Sequence, residues 1–425
     1  MIKYNNDEKE ICEMIVEPYK AKSLIRTSTP CLFSWSEVYL NPYQGCYHDC
    51  KYCDGKSEGY YMHKDFADRI RVKINAPHLL EQYLRKKGFI PFHREKKSTL
   101  VDFIPSLKEK VRSTLPPKFI LHIGGGVCDV YQPAEAQVKI TRTLLRIVYD
   151  YQFPVIILTK NCNVLQDLDI LKAINEDTYA CVSFTITLTD ENTQKIFEPR
   201  ASGTQKRFEA IKILRKEGIH AGVYFYPVLP FIGDTDENMQ ALYEQAKKAG
   251  AEFVYCWGLT LKPGRNKKEF LHTIERYFPS LLSKYQKLYS NNNKYGTVDS
   301  DQFKKMGLQQ PEIKAFNLGY QYGLPYTAER YIPEGRIKTN LQVSEVLLKI
   351  AYVKGCILQD SSEVGALKKA ARFLETYQED ISGLEQDEIC IPVAKKVLPY
   401  IHGAVEESKS IYLETLEEKA YRTSL

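Results

Sequence analysis

No window of this 425-residue sequence approaches the ~18 uncharged apolar residues that a membrane-spanning helix needs. The opening MIKYNNDEKEICEMIVEPYK also lacks the charged segment and apolar run of a secretory leader. No membrane partner is expected, and a cytoplasmic location follows. A disulfide framework is missing too. Of 11 cysteines, an odd number, eight stand singly: Cys12, Cys31, Cys128, Cys162, Cys181, Cys256, Cys356 and Cys390. Cys181 in YACVSFTIT and Cys256 in EFVYCWG lie in apolar runs, where a thiol acts as a small core hydrophobe. There is no internal repeat, no long low-complexity tract, and no second C-x2-C or H-x3-H pair. With 44% hydrophobic and 26% charged residues the chain is not disordered, and it can bury one large core plus an accessory domain.

The net charge of +6 is small for this length, but its distribution is uneven. Residues 64–118 carry 14 Lys or Arg against 6 Asp or Glu, whereas residues 341–425 carry 10 against 14. The basic stretch could attract a polyanion, although on composition alone a solvated helical face is the simpler reading.

Apolar, β-branched runs predict strands at 36–43, 119–127, 155–159, 179–187, 219–228 and 252–258. Segments of helical period separate most of them: Ala134 to Tyr151, Val164 to Ile174, Thr204 to Glu217 and Asn238 to Ala249. Six strands interleaved with helices describe a parallel α/β core. About 65 residues between the first two strands, with helices near Ala76 to Lys87 and Ser106 to Ser113, form an insertion. After Leu261 the strands stop and helical spacing takes over at Lys267 to Tyr289, Gln342 to Val353, Val364 to Glu379 and Ile391 to Glu417. The expected domains are an N-terminal segment (1–30), an α/β core (31–260, with the basic insertion at 60–118) and a helical C-terminal region (261–425).

The stretch NPYQGCYHDCKYCDG gathers Cys46, Cys50 and Cys53 as C-x3-C-x2-C on the loop after the first predicted strand. Thiolates this close in sequence can converge on one soft metal centre. Structural zinc prefers four closed ligands, commonly from two separated pairs, and His48 as the fourth would crowd the same loop. The spacing therefore favours an iron–sulfur cluster with one iron left open over zinc or inert thiols. Gly45 and Gly55 would let backbone wrap such a group closely.

With Tyr52 before the last cysteine, this loop resembles the signature of the radical S-adenosylmethionine (SAM) superfamily. The six-strand pattern is similar to its partial (β/α)6 TIM-type barrel, here with a helical C-terminal extension. The segments RVKINAPHLLEQYL, DVYQPAEAQVKITRTLL, VIILTKN, QDLDIL, FEPRASGTQKRFEAIKILRKEGI and PVLPFIGD follow in the order seen in its spore-photoproduct-lyase-like (DNA repair photolyase-like) group, over about residues 20–290.

The resemblance implies a 4Fe-4S cluster held by Cys46, Cys50 and Cys53 that binds S-adenosyl-L-methionine at its open iron and cleaves it to a 5′-deoxyadenosyl radical, which takes hydrogen from substrate. It also implies a flavodoxin or ferredoxin type electron donor and a nucleic-acid substrate such as a DNA photoproduct. Gly124, Gly125 and Gly126, otherwise a tight strand-to-helix bend, would correspond to the family's SAM-binding glycine motif. Tyr52, Lys160, Ser183, Glu198 and Arg200 would face the same cofactor, although Lys160 at a strand end and the Glu198–Arg200 pair also suit a solvated surface. Cys128 is the candidate hydrogen donor, standing two places after the lyase cysteine, which falls at Gly126; Tyr131 is the candidate relay. A peptide, a nucleotide or a small metabolite is the alternative substrate, and a non-catalytic, metal-stabilised nucleic-acid binder is the alternative of another class.

Overall fold

The computed structural model describes residues 14–29, 31–33, 35–60, 62–92, 118–125, 127–291, 293–335, 337–383, 395–406 and 410–424. Gly126, the Ser106 to Ser113 helix and residues 93–117 of the basic stretch lie outside these residues. By internal contacts the chain divides into two compact units: Met1–Thr27, Val38–His93 and Leu121–Tyr326 in the first, Ser28–Glu37, Arg94–Ile120 and Thr327–Leu425 in the second.

The first unit is built on a seven-stranded sheet. Its strands are β2 (Ile25–Thr27), β3 (Ser36–Leu40), β6 (Ile120–Gly124), β7 (Val155–Thr159), β8 (Ala180–Thr185), β9 (His220–Val228) and β10 (Val254–Gly258), in the spatial order β10-β9-β8-β7-β6-β3-β2. From β6 to β10 every neighbouring pair is parallel, and β2 adds to β3 antiparallel. The six strands predicted from sequence thus lie side by side in chain order, the arrangement of a partial (β/α)6 barrel. Every residue of β6, β7 and β8 is buried, as a sheet covered on both faces requires.

Helices return the chain between the parallel strands: Ile140–Asp150, Leu168–Asp177, Thr204–Lys216 and Asp236–Ala249. The last shows why such segments fold. Met239, Leu242, Tyr243, Ala246 and Ala249 recur at helical spacing and are all buried, each larger apolar side chain contributing roughly 1.5–3 kcal/mol. The Thr235 side chain accepts from Asn238 N at its start, and Gly250 at φ 76° ends it. The expected single helix over Ala134 to Tyr151 is instead a turn at Glu135–Val138 and a helix from Ile140, because Lys139 takes a left-handed φ of 53° between them.

The first predicted strand also splits. β3 stops at Leu40, Pro42 supplies no N–H to a ladder, and Tyr43–Gln44 (β4) joins a separate three-stranded sheet with β5 (Arg69–Lys73) and β1 (Ile15–Tyr19). The cysteine loop therefore leaves β4 rather than a strand of the main sheet.

Sequence spacing put the end of the α/β core at 260, whereas the division by contacts falls after Tyr326. The reason is packing. Phe270 and Ile274 of the Arg265–Tyr277 helix, with Tyr285, Leu288 and Tyr289 beyond it, share one apolar cluster with Leu259, Leu261, Phe197, Tyr52 and Cys50. In the second unit, helices Lys338–Tyr352 and Val364–Thr376 enclose a buried polar knot, in which Arg330 Nη2 lies 2.6 Å from Glu375 Oε2 and Ser344 Oγ donates to Glu375 Oε1 at 2.5 Å.

Candidate active site at the strand ends

The carboxyl ends of the main-sheet strands and the cysteine loop border an open cleft. Into it face Cys46, Cys50 and Cys53 from the loop, Cys128 and Asp129 after β6, Thr159 and Lys160 at the end of β7, Thr185 ending β8 and Tyr226 from β9. Strand ends are where α/β proteins of this architecture place their chemistry, because loops there can vary without disturbing the sheet.

The loop is held by backbone bonds at each cysteine. Cys46 N donates to Phe66 O at 2.9 Å, Lys51 N to Phe197 O at 2.8 Å and Cys53 N to Cys50 O at 3.1 Å. Gly45 sits at φ 88°, and a Cβ there would lie 2.4 Å from Arg69 O, so no other residue fits this approach to β5. Gln132 fastens the same point, accepting from Tyr47 N at 2.9 Å and donating to Gly45 O at 3.1 Å.

Burial raises all three loop thiols, that of Cys50 to about 12, although Lys160 acts in the opposite direction on it. Such thiols gain from a positive centre that would take them as thiolates. Among the described residues no three or more His, Cys, Asp or Glu are gathered tightly enough for a single ion. The three loop thiols share one cleft wall instead, with the half-buried Lys160 close by, its Nζ 5.8 Å from the centre of the Tyr52 ring. Burial disfavours the Lys160 ammonium, yet the neighbouring Cys50, Glu198 and Asp129 outweigh that and raise its pKa. An all-sulfur donor set on one wall and a half-buried cation beside it fit an iron–sulfur group that shares its cleft with an anionic ligand.

Asp129 ties two strands together. Its Oδ1 accepts from Tyr131 N and Thr159 Oγ1, both at 2.8 Å, and its Oδ2 from Lys160 N at 2.7 Å. His48, 1% exposed, faces the same carboxylate at 3.4 Å without a hydrogen bond from its Nδ1, while its Nε2 meets Asn161 Nδ2 at 3.3 Å. Cys128 is buried, and that burial, followed by nearby Cys53, lifts its thiol far above the usual range. It therefore keeps its S–H at neutral pH.

The expected residues do not all converge. Cys46, Cys50, Cys53, Tyr52, Gly125, Cys128 and Lys160 line the cleft; Gly124, Ser183, Glu198, Arg200 and Tyr131 do not. Ser183 is fully buried one period-two step below Thr185, the β8 residue that does reach the cleft. Arg200 turns away, pairing with Asp68 at 2.9 Å and lying over the Tyr47 ring. Tyr131 donates to Asp167 Oδ2 at 3.0 Å with no exposed surface, which leaves the relay expectation without a path into the cleft.

Glu198 supports the site from beneath. It accepts from the Tyr52 hydroxyl, from Gln194 Nε2 at 3.1 Å and from Arg207 Nη2 at 2.5 Å. Arg207, 0% exposed, also donates to Ser202 O and Thr185 O, both at 2.8 Å. Sequence reasoning missed Arg207 because an arginine on a helix of ordinary amphipathic pattern gives no sign of facing inward. Thr185, two residues after Ser183 on the same strand face, carried a readable signal.

Residues 40–246 match the family model of the radical SAM superfamily. Uncharacterized proteins of Mycobacterium tuberculosis and Mycobacterium bovis are 26% identical over 254 residues, which is 59% of this chain and 66% of theirs, so the match spans just under two thirds of those relatives. An uncharacterized protein of Methanocaldococcus jannaschii is 26% identical over 61% of this chain and 82% of its own. Among solved structures, spore photoproduct lyase complexed with dinucleoside spore photoproduct is 16% identical, with a TM-score of 0.48 over 72% of this chain and 79% of that one. The superfamily uses a 4Fe-4S cluster and SAM, and the chain carries a radical SAM domain over residues 40–246.

Proposed function

We propose that Cys46, Cys50 and Cys53 hold the cluster, that the cleft binds SAM beside it, and that the enzyme repairs a nucleic-acid lesion of the DNA-photoproduct type. The observation that carries this reading is the shared cleft: three loop thiols, the half-buried Lys160 and the protonated Cys128 at one set of strand ends. When bound, cluster and SAM together supply a 5′-deoxyadenosyl radical that abstracts hydrogen from substrate.

The chain's own residues do the rest. Lys160, held charged by its neighbours, would pair with the carboxylate of the methionine moiety. Glu198 and Arg207 fix Tyr52 under the loop, and Asp129 fixes the Thr159–Lys160 turn, so the site is rigid before any ligand arrives. Cys128 Sγ holds a hydrogen atom at the cleft wall and suits return of hydrogen to a substrate radical. The order of motifs supports a lyase-like substrate. So does the excess of eight positive charges at 64–118, since Lys and Arg gain affinity for nucleic acid by releasing phosphate counterions. A flavodoxin or ferredoxin would supply the electron.

The test is anaerobic reconstitution followed by dithionite and SAM. Release of 5′-deoxyadenosine is expected, and Cys128→Ala should keep it within about twofold while failing to return hydrogen to an ultraviolet-damaged oligonucleotide. A bound cluster with no 5′-deoxyadenosine would overturn the enzymatic reading. DNA affinity that does not change with salt would overturn the nucleic-acid substrate.

A further inference from the structure

The helix Arg265–Tyr277 begins beyond the 40–246 span of the radical SAM match, yet its first turn grips the cysteine loop. Asn266, with no exposed surface, donates through Nδ2 to Cys53 O at 2.9 Å and to Tyr52 O at 3.2 Å. Its Oδ1 has no hydrogen-bond partner. Arg265 Nε donates to Lys56 O at 2.7 Å, and Glu269 Oε1 takes Lys56 Nζ at 2.5 Å and Lys51 Nζ at 3.5 Å. Just before the helix, Lys262 Nζ meets Asp54 Oδ2 at 2.5 Å. Glu58, from the end of the cysteine segment, accepts from Arg265 N at 3.0 Å and so caps the helix in return. Phe270 stacks on Phe197 at 5.9 Å, the residue whose carbonyl holds Lys51 N.

We propose that Asn266 is a positioning residue for the cluster, acting through the backbone of Tyr52 and Cys53. The inference rests on the reading of Cys53 as a cluster ligand. Its physical content is a buried side chain that spends both amide hydrogens on consecutive carbonyls flanking one ligand. The orientation of the peptide that carries the Cys53 thiol is thereby set from a helix more than two hundred residues away in sequence. A purely space-filling asparagine would not direct its donors at that one peptide while leaving its own oxygen unpartnered, at the usual penalty for a buried acceptor.

The test compares wild type with Asn266→Asp, which keeps shape but replaces the donor by an acceptor, and with Asn266→Gln, which restores an amide. Three readings are made: the melting temperature of the cluster-free protein, the rate at which a chelator removes iron after reconstitution, and the midpoint potential of the cluster. Asn266→Asp should lose iron about tenfold faster, the scale of one buried hydrogen bond, with a displaced potential, and Asn266→Gln should recover part of both. Unchanged iron loss and potential in Asn266→Asp would overturn the inference. Where that variant does not fold, Glu269→Gln carries the same readings from the partly exposed side of the helix; faster iron loss supports the clamp and an unchanged rate refutes it. A wild type that takes up no cluster would instead sink the underlying site reading, so the two failures are distinguishable.

Discussion

The buried cysteines of the loop and those of the strands are alike in the properties most often used to judge a thiol. Cys46 and Cys50 are each 7% exposed, Cys181 and Cys256 1% and 2%. Burial raises every one of them, Cys50 and Cys181 both to about 12. They differ in what surrounds them. The loop thiols border a cleft with Lys160, Thr159 and Asp129, whereas Cys181 lies inside a sheet paired on both sides, opposite Ile156 and His220. Burial and acidity do not assign a cysteine its work; an open cleft and a fixed loop do.

The largest separation between the two regions should come from substitution at the proposed ligands. Cys50→Ala is expected to lose stable iron binding on reconstitution, measured as iron and sulfide per chain, while Cys181→Ala retains both. Equal iron in the two variants would erase the distinction drawn here.

Arg207→Met sharpens it from below, by leaving the buried Glu198 carboxylate without its ion-pair partner. A loss of about 3–5 kcal/mol in denaturant unfolding is expected, with part recovered by adding Glu198→Gln. A surface-sized loss would show that the pair is solvated and does not brace the loop.

The third expectation concerns pH. Burial lifts the Glu135 carboxyl from its ordinary 4.5 to about 7, against the Tyr43 hydrogen bond and the backbone N–H groups of Thr141 and Arg142 that lower it. A raised pKa means the folded state binds more protons than the unfolded one between those values, so stability contributed by this group is present below 4.5 and lost as pH rises through 7. Unfolding curves at pH 5 and pH 7.5 should show that slope, and Glu135→Gln should flatten it.

The strand thiols supply the smallest effect. Cys181→Ala should cost about 1–2 kcal/mol of stability through lost packing and leave 5′-deoxyadenosine release unchanged. A large activity loss would place it in the chemistry.

The same contrast explains what sequence could reveal. Strands β6 to β10 were legible because continuous apolar runs have one reading when bounded by turns and helices. β1, β2 and β5 were not, since IVEPY and IRT are short half-exposed edge strands and RIRVK, though central in its small sheet, alternates charge with its two buried residues. The cysteine loop was legible from spacing alone. Ser183 was named where Thr185 reaches the cleft, because period-two alternation fixes a face and not a depth. Glu198 was named but for another partner: its carboxylate belongs to Tyr52 and Arg207, and Arg200, its near neighbour in sequence, belongs to Asp68. Asn266 left no trace, since nothing in RNKKEF announces a side chain that turns inward to a loop more than two hundred positions earlier.

The most direct measurement is electron paramagnetic resonance of the anaerobically reconstituted, dithionite-reduced protein, recorded with and without SAM. A reduced 4Fe-4S signal that changes when SAM is added, and that is absent in Cys46→Ala, Cys50→Ala and Cys53→Ala, is the expected result. A cluster signal indifferent to SAM, or retained after any of the three substitutions, would contradict the assignment of the open iron to this loop.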